Sequence, residues 1–558
     1  MTKIRKIIEI PNVKEILILL ICAMFICLPL LNNKIDIMYD DGIQHVARLI
    51  GTYDSINEGQ IFPVIMSKLC NNFGYSWNLF YSPLTAYIPL IFKLIGLSFI
   101  NCIKMFMFFV VFMSALAMYF FTKEVTKNKK IALLAGIFYI FAPYRLTDMY
   151  ARNALAELTS FVFLPMVFHG LYGILKEKPK REYLLIFGAA GLILTHTVIT
   201  MYTAIFCVIY LLTQIKKLKN KNIIKKLIIS LLFILVITSF FYIPLLEHKL
   251  SADYEVFKEG RMERTEVLVA FKLNFFELFV TPRQNIMTYE IGFLSVLLLV
   301  LSPIVIKKLK QKCRNTDFYK FYIFSLIAGL VSIIMTLKIF PFEHLPSILK
   351  MLQFSFRMLE FSSFFFAFVV AVNIQVLLKK VKYKDVIVIT AILMLLTCLF
   401  IPHLHYKDNI DENRLIKGVK VTSQTGRVHA GCASFEYLPT KAFENRSYIE
   451  TRTDEVIILD GNAQINNQNK ENTTLNCTIS NAQEETKLEL PYIYYLGYEV
   501  LLEQNGDITK LKTYETDNGF VGITIPSIEE GMLEVHYEGT ILMKISAGIS
   551  IFGLVLLI

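Results

Sequence analysis

Met38-Tyr39-Asp40-Asp41-Gly42-Ile43-Gln44-His45 lies a few residues beyond an apolar run, Glu15 to Leu31. Such a run, followed at once by two carboxylates and a histidine, reads as a membrane helix delivering polar groups to the water boundary. A pair of acids is expensive to place there and is suited to proton abstraction or cation binding. A solvated loop closed by an Asp-Gly turn explains the octet alone equally well, so the surrounding chain decides its weight.

Working outward, the 558 residues are 55% hydrophobic and only 18% charged, with a mean hydropathy of +0.51. These values, with repeated apolar runs of roughly 20 residues, describe an integral membrane protein. The net charge of +11 falls in short clusters between those runs, which fits membrane orientation rather than a nucleic-acid partner. Nine cysteines are scattered without CxxC or metal spacing; Cys432 and Cys477 share an expected outer domain, and the sequence does not establish whether they pair. The run from Glu15 follows Lys3, Arg5, Lys6 and Lys14 and lacks a small-residue cleavage site, so it is expected to be a retained helix.

The pattern predicts about twelve spans, at 15–31, 100–121, 131–147, 154–175, 183–196, 198–213, 227–246, 291–306, 320–337, 357–378, 386–401 and 541–558. Lysine-rich loops such as 216–226, 307–314 and 379–384 go to the cytoplasm with the N-terminus, which turns 32–99, 142–153, 247–290, 338–356 and 402–540 outward. The pieces at 131–147 and 183–213 are short for a bilayer and are expected to end inside a cavity. Residues 78–97, broken by Pro83 and Pro89, are expected along the outer leaflet. From 402 the composition turns polar and alternating, with Asn505-Gly506 and Asn518-Gly519 as hairpin turns, predicting a β-rich outer domain. The expected organisation is therefore a membrane domain, 1–401, whose outer loop 32–99 carries the acids, then the β-rich domain 402–540 and a last helix, 541–558.

Further polar groups sit where apolar surroundings make them costly. The stretch 142–157 carries Tyr144, Arg145, Asp148, Arg152 and Glu157 at an expected outer turn, level with Asp40 and Asp41. Two readings are open: ion pairs that staple the hairpin, or arginines meeting a phosphate, which the planar guanidinium holds by two bonds. His196 lies at a second outer turn, where it either satisfies a hydrogen bond locally or lines a cavity. Arg357 and Glu360 open a later helix from the same side; an arginine there either snorkels to the interface or binds an anion. His45 completes the set beside the acids. No P-loop, GxGxxG, HExxH or GxSxG motif occurs, which argues against a nucleotide-driven pump or a soluble-type hydrolase.

A first helix, an outer loop with an acidic pair and many later spans resemble the GT-C superfamily of membrane glycosyltransferases. Tyr81-Ser82-Pro83-Leu84, the Tyr144-Arg145…Arg152…Glu157 turn, Phe356-Arg357 and the 491–498 and 535–537 segments resemble the bacterial YfhO-type branch. They are also similar to the membrane proteins grouped as 6-pyruvoyl-tetrahydropterin synthase-related. The resemblance implies a polytopic α-helical, GT-C-like membrane protein with an extracytoplasmic β-rich domain. It implies transfer of a sugar from a polyprenyl-phosphate donor to a cell-envelope polymer or lipid acceptor, with Asp41 or Asp40 as the base. Tyr144, Arg145, Asp148, Arg152, Glu157, His196, Arg357, Glu360 and His45 would then bind substrate. A divalent cation is compatible with the acids, though no ligand set is diagnostic. The rival expectation is a non-catalytic transporter or envelope scaffold of the same build, in which the acids pair internally.

Overall fold

The computed structural model describes residues 12–60, 62–258, 260–261, 265–280, 287–407, 432 and 434–557. Lys3, Arg5 and Lys6, on which part of the expected orientation rests, and much of the 402–440 connection lie outside these. The chain divides into two compact units that interleave in sequence. One comprises Met1–Gly42, Asn101–Leu235 and Glu263–Ile410; the other comprises Ile43–Ile100, Val236–Met262 and Asp411–Ile558.

The first unit is helical because its sequence supplies long apolar runs in which the backbone must bond to itself. Among the described residues of the chain, six helices are long and apolar enough to cross a membrane: Val13–Leu31, Phe99–Thr126, Leu155–Ile174, Lys221–Ser251, Asp317–Thr336 and Ser355–Leu378. Lys129–Ile140 and Pro143–Ala151 qualify only as a pair, bent by 46°. The expected count of twelve is not confirmed: six helices, or seven with the bent pair, meet this length and apolarity among the described residues. Helices do occupy the other expected stretches, among them Thr197–Thr213 and Ile541–Leu557, but these are shorter.

Aromatic rings fill the centre of the first unit. Phe168 and Phe364 lie 5.2 Å apart, Phe121 and Phe321 5.3 Å, and Phe321 and Phe368 5.2 Å between centroids, in the tilted and edge-on arrangements rings prefer. Gly170 lets Leu155–Ile174 approach Arg181–Ile193, since a Cβ there would fall 2.3 Å from the Leu185 backbone nitrogen. Almost every residue of Leu155–Ile174 is buried. A helix covered on all sides can keep an acid such as Glu157 away from lipid.

Among its described residues the second unit contains nearly all of the helix Gly42–Asn57, the helices Leu84–Lys93 and Ile541–Leu557, and nine strands. The strands are β1 (Ile457–Asp460), β2 (Gln464–Glu471), β3 (Thr474–Ala482), β4 (Thr486–Ile493), β5 (Tyr498–Gln504), β6 (Asp507–Leu511), β7 (Thr513–Glu515), β8 (Phe520–Ile525) and β9 (Ile528–Tyr537). They form two antiparallel sheets, ordered β1-β4-β8-β7 and β2-β3-β9-β5-β6. Alternate residues of both sheets, including Ile479, Leu488, Val500, Ile523 and Leu533, share one core, so the sheets pack as a sandwich. The Asn505-Gly506 turn joins β5 to β6 with both residues at positive φ, 53° and 88°, as a two-residue hairpin of this type requires.

Two buried cations organise this unit. Arg48 is surrounded by neutral acceptors: its Nε donates to Asn78 Oδ1 at 2.8 Å and its Nη2 to the carbonyls of Tyr81 and Ser82 at 3.1 and 2.8 Å. The Tyr81-Ser82-Pro83-Leu84 turn is thus held by its backbone. Arg452 meets Glu489 at 3.1 Å with both side chains fully enclosed, and Glu489 also accepts from Tyr448, Thr516 and Asn518. Cys477 lies in the sandwich core on β3, whereas Cys432 packs with Cys70 in a separate cluster; the Cys432–Cys477 pairing considered from sequence is not the arrangement found.

Candidate active site

The site is built on a break in the helix that follows residue 129. Pro143 has no amide hydrogen to continue the preceding helix, and the chain bends there. It resumes as one α-turn, Pro143–Leu146, and a π-helical turn, Thr147–Ala151. Tyr144, Asp148 and Arg152 succeed one another at intervals of four and so line one side of the segment. Asn153, at φ 50°, turns the chain into Leu155–Ile174, which places Glu157 in the first turn opposite them.

Arg152 is the hub. Its Nη1 reaches Asp148 Oδ1 at 2.6 Å and Glu157 Oε2 at 2.8 Å, and its Nη2 lies 3.7 Å from Asp41 Oδ2. Tyr144 donates its hydroxyl to Glu157 Oε1. Arg357 adds its Nε to Glu157 Oε2 at 3.2 Å, while its Nη1 is spent on the Leu352 carbonyl at 3.0 Å and Gln353 Oε1 at 2.7 Å. The charged side chains and Tyr144 are buried except Asp41, which is 50% exposed, and Gln353 is half-buried. A charge network rooted in the helices therefore reaches solvent through one carboxylate.

The loop carrying that carboxylate is fixed at both ends. Asp41 N donates to Arg152 O at 3.1 Å, and Asn153 Nδ2 donates to the carbonyls of Asp36 and Tyr39 at 3.3 Å each. On the other side Asp36 N bonds His405 O at 2.9 Å, and Tyr39 stacks on the His405 ring at 3.8 Å. Asp40 takes up the left-handed region at φ 48°, which aspartate tolerates better than most residues. Gly42 is required by close approach: a Cβ would lie 2.0 Å from Ile37 O. Asp40 is open at its surface, yet enough protein crowds it to raise its carboxyl to about 6; the neighbouring Asp41 adds to the rise and Arg152 opposes it.

The other expected site residues are distributed unevenly. His196 caps Thr197–Thr213, its Nδ1 accepting from Ile199 N at 3.3 Å, while it also feels the charges of Arg357 and Glu157. Glu360 accepts from Ser160 at 2.7 Å through Oε1, and its Oε2 has no partner among the described residues. Arg145 is wholly enclosed, its guanidinium 4.7 Å from the Phe161 ring centre and one bond made to Val110 O at 3.4 Å. His45 belongs to the second unit, its ring 6.4 Å from that of Tyr81. Ser160, Gln353, Asn153 and His405 complete the geometry and were not singled out in the sequence, being uncharged or remote from the acids. Among the described residues no three His, Cys, Asp or Glu side chains converge where a metal would sit.

Beside the broken helix lies a cavity of about 410 Å³, bounded by Pro143, Leu146, Phe293, Leu396, Phe400 and His403, with Thr288 and Glu290 among its polar edges. Thr147 ties this wall to the site by donating to Thr288 O at 2.7 Å.

Residues 79–407, well over half of the chain, match the family described as 6-pyruvoyl-tetrahydropterin synthase related domain, membrane protein. The chain belongs to this family. The match takes in 144–157, His196, Arg357 and Glu360 and leaves Asp40, Asp41 and His45 outside it. An uncharacterized protein of Lactococcus lactis subsp. cremoris (strain MG1363) is 29% identical over 313 residues, covering 53% of this chain and 49% of that one. The chain thus spans about half the length of the curated relative it matches. The crystal structure of the Archaeoglobus fulgidus oligosaccharyltransferase in its apo form aligns with a TM-score of 0.43 at 11% identity, covering 80% of this chain and 59% of that one.

Proposed function

We propose that this membrane protein is a glycosyltransferase that moves a sugar from a polyprenyl-phosphate donor to a cell-envelope acceptor at the outer face of a bacterial membrane. The observation that carries the reading is Asp41, a half-exposed carboxylate pinned by its backbone and its charge to the buried Arg152 network. Asp41 takes the proton of an acceptor hydroxyl; that oxygen attacks the anomeric carbon, and the bond to the lipid phosphate breaks with its electrons going to phosphate. Arg152, 3.7 Å away, keeps Asp41 aimed. Arg357 supplies the phosphate contact through Nη2, which makes no bond among the described residues. The 410 Å³ cavity, mostly apolar and adjoining Pro143 and Leu146, suits the donor's hydrocarbon chain. In this reading the lysine-rich loops face the cytoplasm and the β-sandwich faces out.

One observation favours the rival reading of a non-catalytic transporter or scaffold. Arg152 and Glu157 already satisfy one another, as purely structural pairs would. Glycan analysis of the envelope, with the protein, without it and with the Asp40→Ala/Asp41→Ala double variant, separates the two. Loss of one glycan in both altered strains supports transfer; loss only when the whole protein is absent supports the scaffold.

A further inference from the structure

Cys70 and Cys432 lie 362 positions apart in sequence, yet their sulfurs are 3.0 Å from each other, and both side chains are 1% exposed. Both belong to the second unit, in a cluster with Tyr75, Tyr437 and Tyr495. The chain presents Cys70 by an unusual device: Cys70, Asn71 and Asn72 are all left-handed, at φ 51°, 57° and 65°. Asparagine adopts that region readily and cysteine does not, so the turn holds Cys70 against its preference. Asn71 Nδ2 anchors it on Ile449 O at 2.9 Å, and Phe73 O accepts from Ile493 N at 2.9 Å. Cys70 is thereby fixed from the C-terminal side of the chain as well as its own.

We propose that Cys70 and Cys432 are joined as a disulfide in the mature protein, stapling the 64–80 segment to the residues around 432–449. The inference rests on the outward placement given under Proposed function, since such bonds persist in oxidising compartments. Two thiols lose two protons and two electrons, one S–S bond forms, and a dithiol-disulfide oxidant is reduced to two thiols. Because both sulfurs are enclosed, the exchange takes place before the cluster closes around them, and the finished bond is shielded from reductant. Cys477, inside the sandwich core, takes no part.

The test is mass spectrometry of the full chain, extracted from cells with an alkylating agent present and digested without reductant. The expected result is a Cys70–Cys432 linked peptide lacking two hydrogens, alkylated Cys477, and, in the undigested protein, reduction by dithiothreitol only after denaturant is added. Alkylated Cys70 and Cys432, or a Cys432–Cys477 link, overturns the proposal. A second arm tells which premise failed: purified, reduced protein is treated with glutathione disulfide in mild denaturant. If the link forms there but not in cells, the sulfurs are adjacent and the outward placement is wrong. If it forms in neither, the adjacency is wrong.

Discussion

Arg152 stands between three carboxylates, at 2.6, 2.8 and 3.7 Å, and only the farthest, Asp41, touches solvent. Removing the cation leaves Asp148 and Glu157 facing one another in an enclosed site, and breaking such a pair costs about 3–5 kcal/mol. Arg152→Met is therefore expected to lower the unfolding free energy of the detergent-solubilised protein by that amount, and a loss below about 1 kcal/mol would show that the network is not buried. Asp41 is expected to behave differently. On the proposed function, Asp41→Asn keeps size and hydrogen bonding but removes the base, so transfer per folded molecule is expected to fall about 10²–10⁴-fold with stability nearly unchanged. Full specific activity in that variant would leave the acid a loop residue. Asp40 contributes a pH dependence with a definite sign. Its carboxyl, raised to about 6, binds a proton more tightly in the folded chain than the ordinary value of about 3.9 allows unfolded. Its contribution to stability is thus fully present below pH 4 and lost as the pH rises through 6. Asp40→Asn is expected to melt progressively higher than wild type between pH 4.5 and 7; parallel melting curves over that range would refute the shift.

The acidic loop is held by backbone bonds to 152–153 and to 405, so its position depends on how closely the chain can pass Ile37. Gly42 allows that passage, and the carbonyl that a Cβ would strike belongs to backbone, which cannot swing aside as a side chain does. Gly42→Ala is expected to displace Asp41 from Arg152 and to reduce transfer at least tenfold while the helices still insert. Measured activity equal to wild type in that variant would detach the loop from the chemistry. The loop also marks what a sequence can and cannot reveal. Charges at 144–157 declare themselves because they interrupt apolar runs at helical spacing. Ser160 beneath Glu360, Gln353 beside Arg357 and His405 under Tyr39 do not, because each is uncharged or ordinary where it stands. Their partners lie up to hundreds of positions away.

Across the whole chain, composition and apolar period sufficed for a helical membrane protein with a β-rich C-terminal part, since both follow from how backbone is satisfied in lipid and in sheets. The count of twelve crossings is not confirmed, because apolarity alone does not separate a helix that spans from one packed inside the bundle. Orientation is testable directly. Single cysteines introduced as Glu58→Cys and Asn466→Cys in a chain lacking other reactive thiols are expected to react with an impermeant reagent added to intact cells, and Lys219→Cys is not. Labelling at Lys219→Cys would reverse the orientation and the outward site with it. The interleaving of the two units also has a consequence in time. Residues 43–100 leave the ribosome more than three hundred residues before Cys432, which at roughly 5–20 residues per second is a wait of tens of seconds. Through that interval Tyr75, Trp77 and their neighbours lack the later residues that complete their core, so the second unit's first segment waits with apolar surface uncovered.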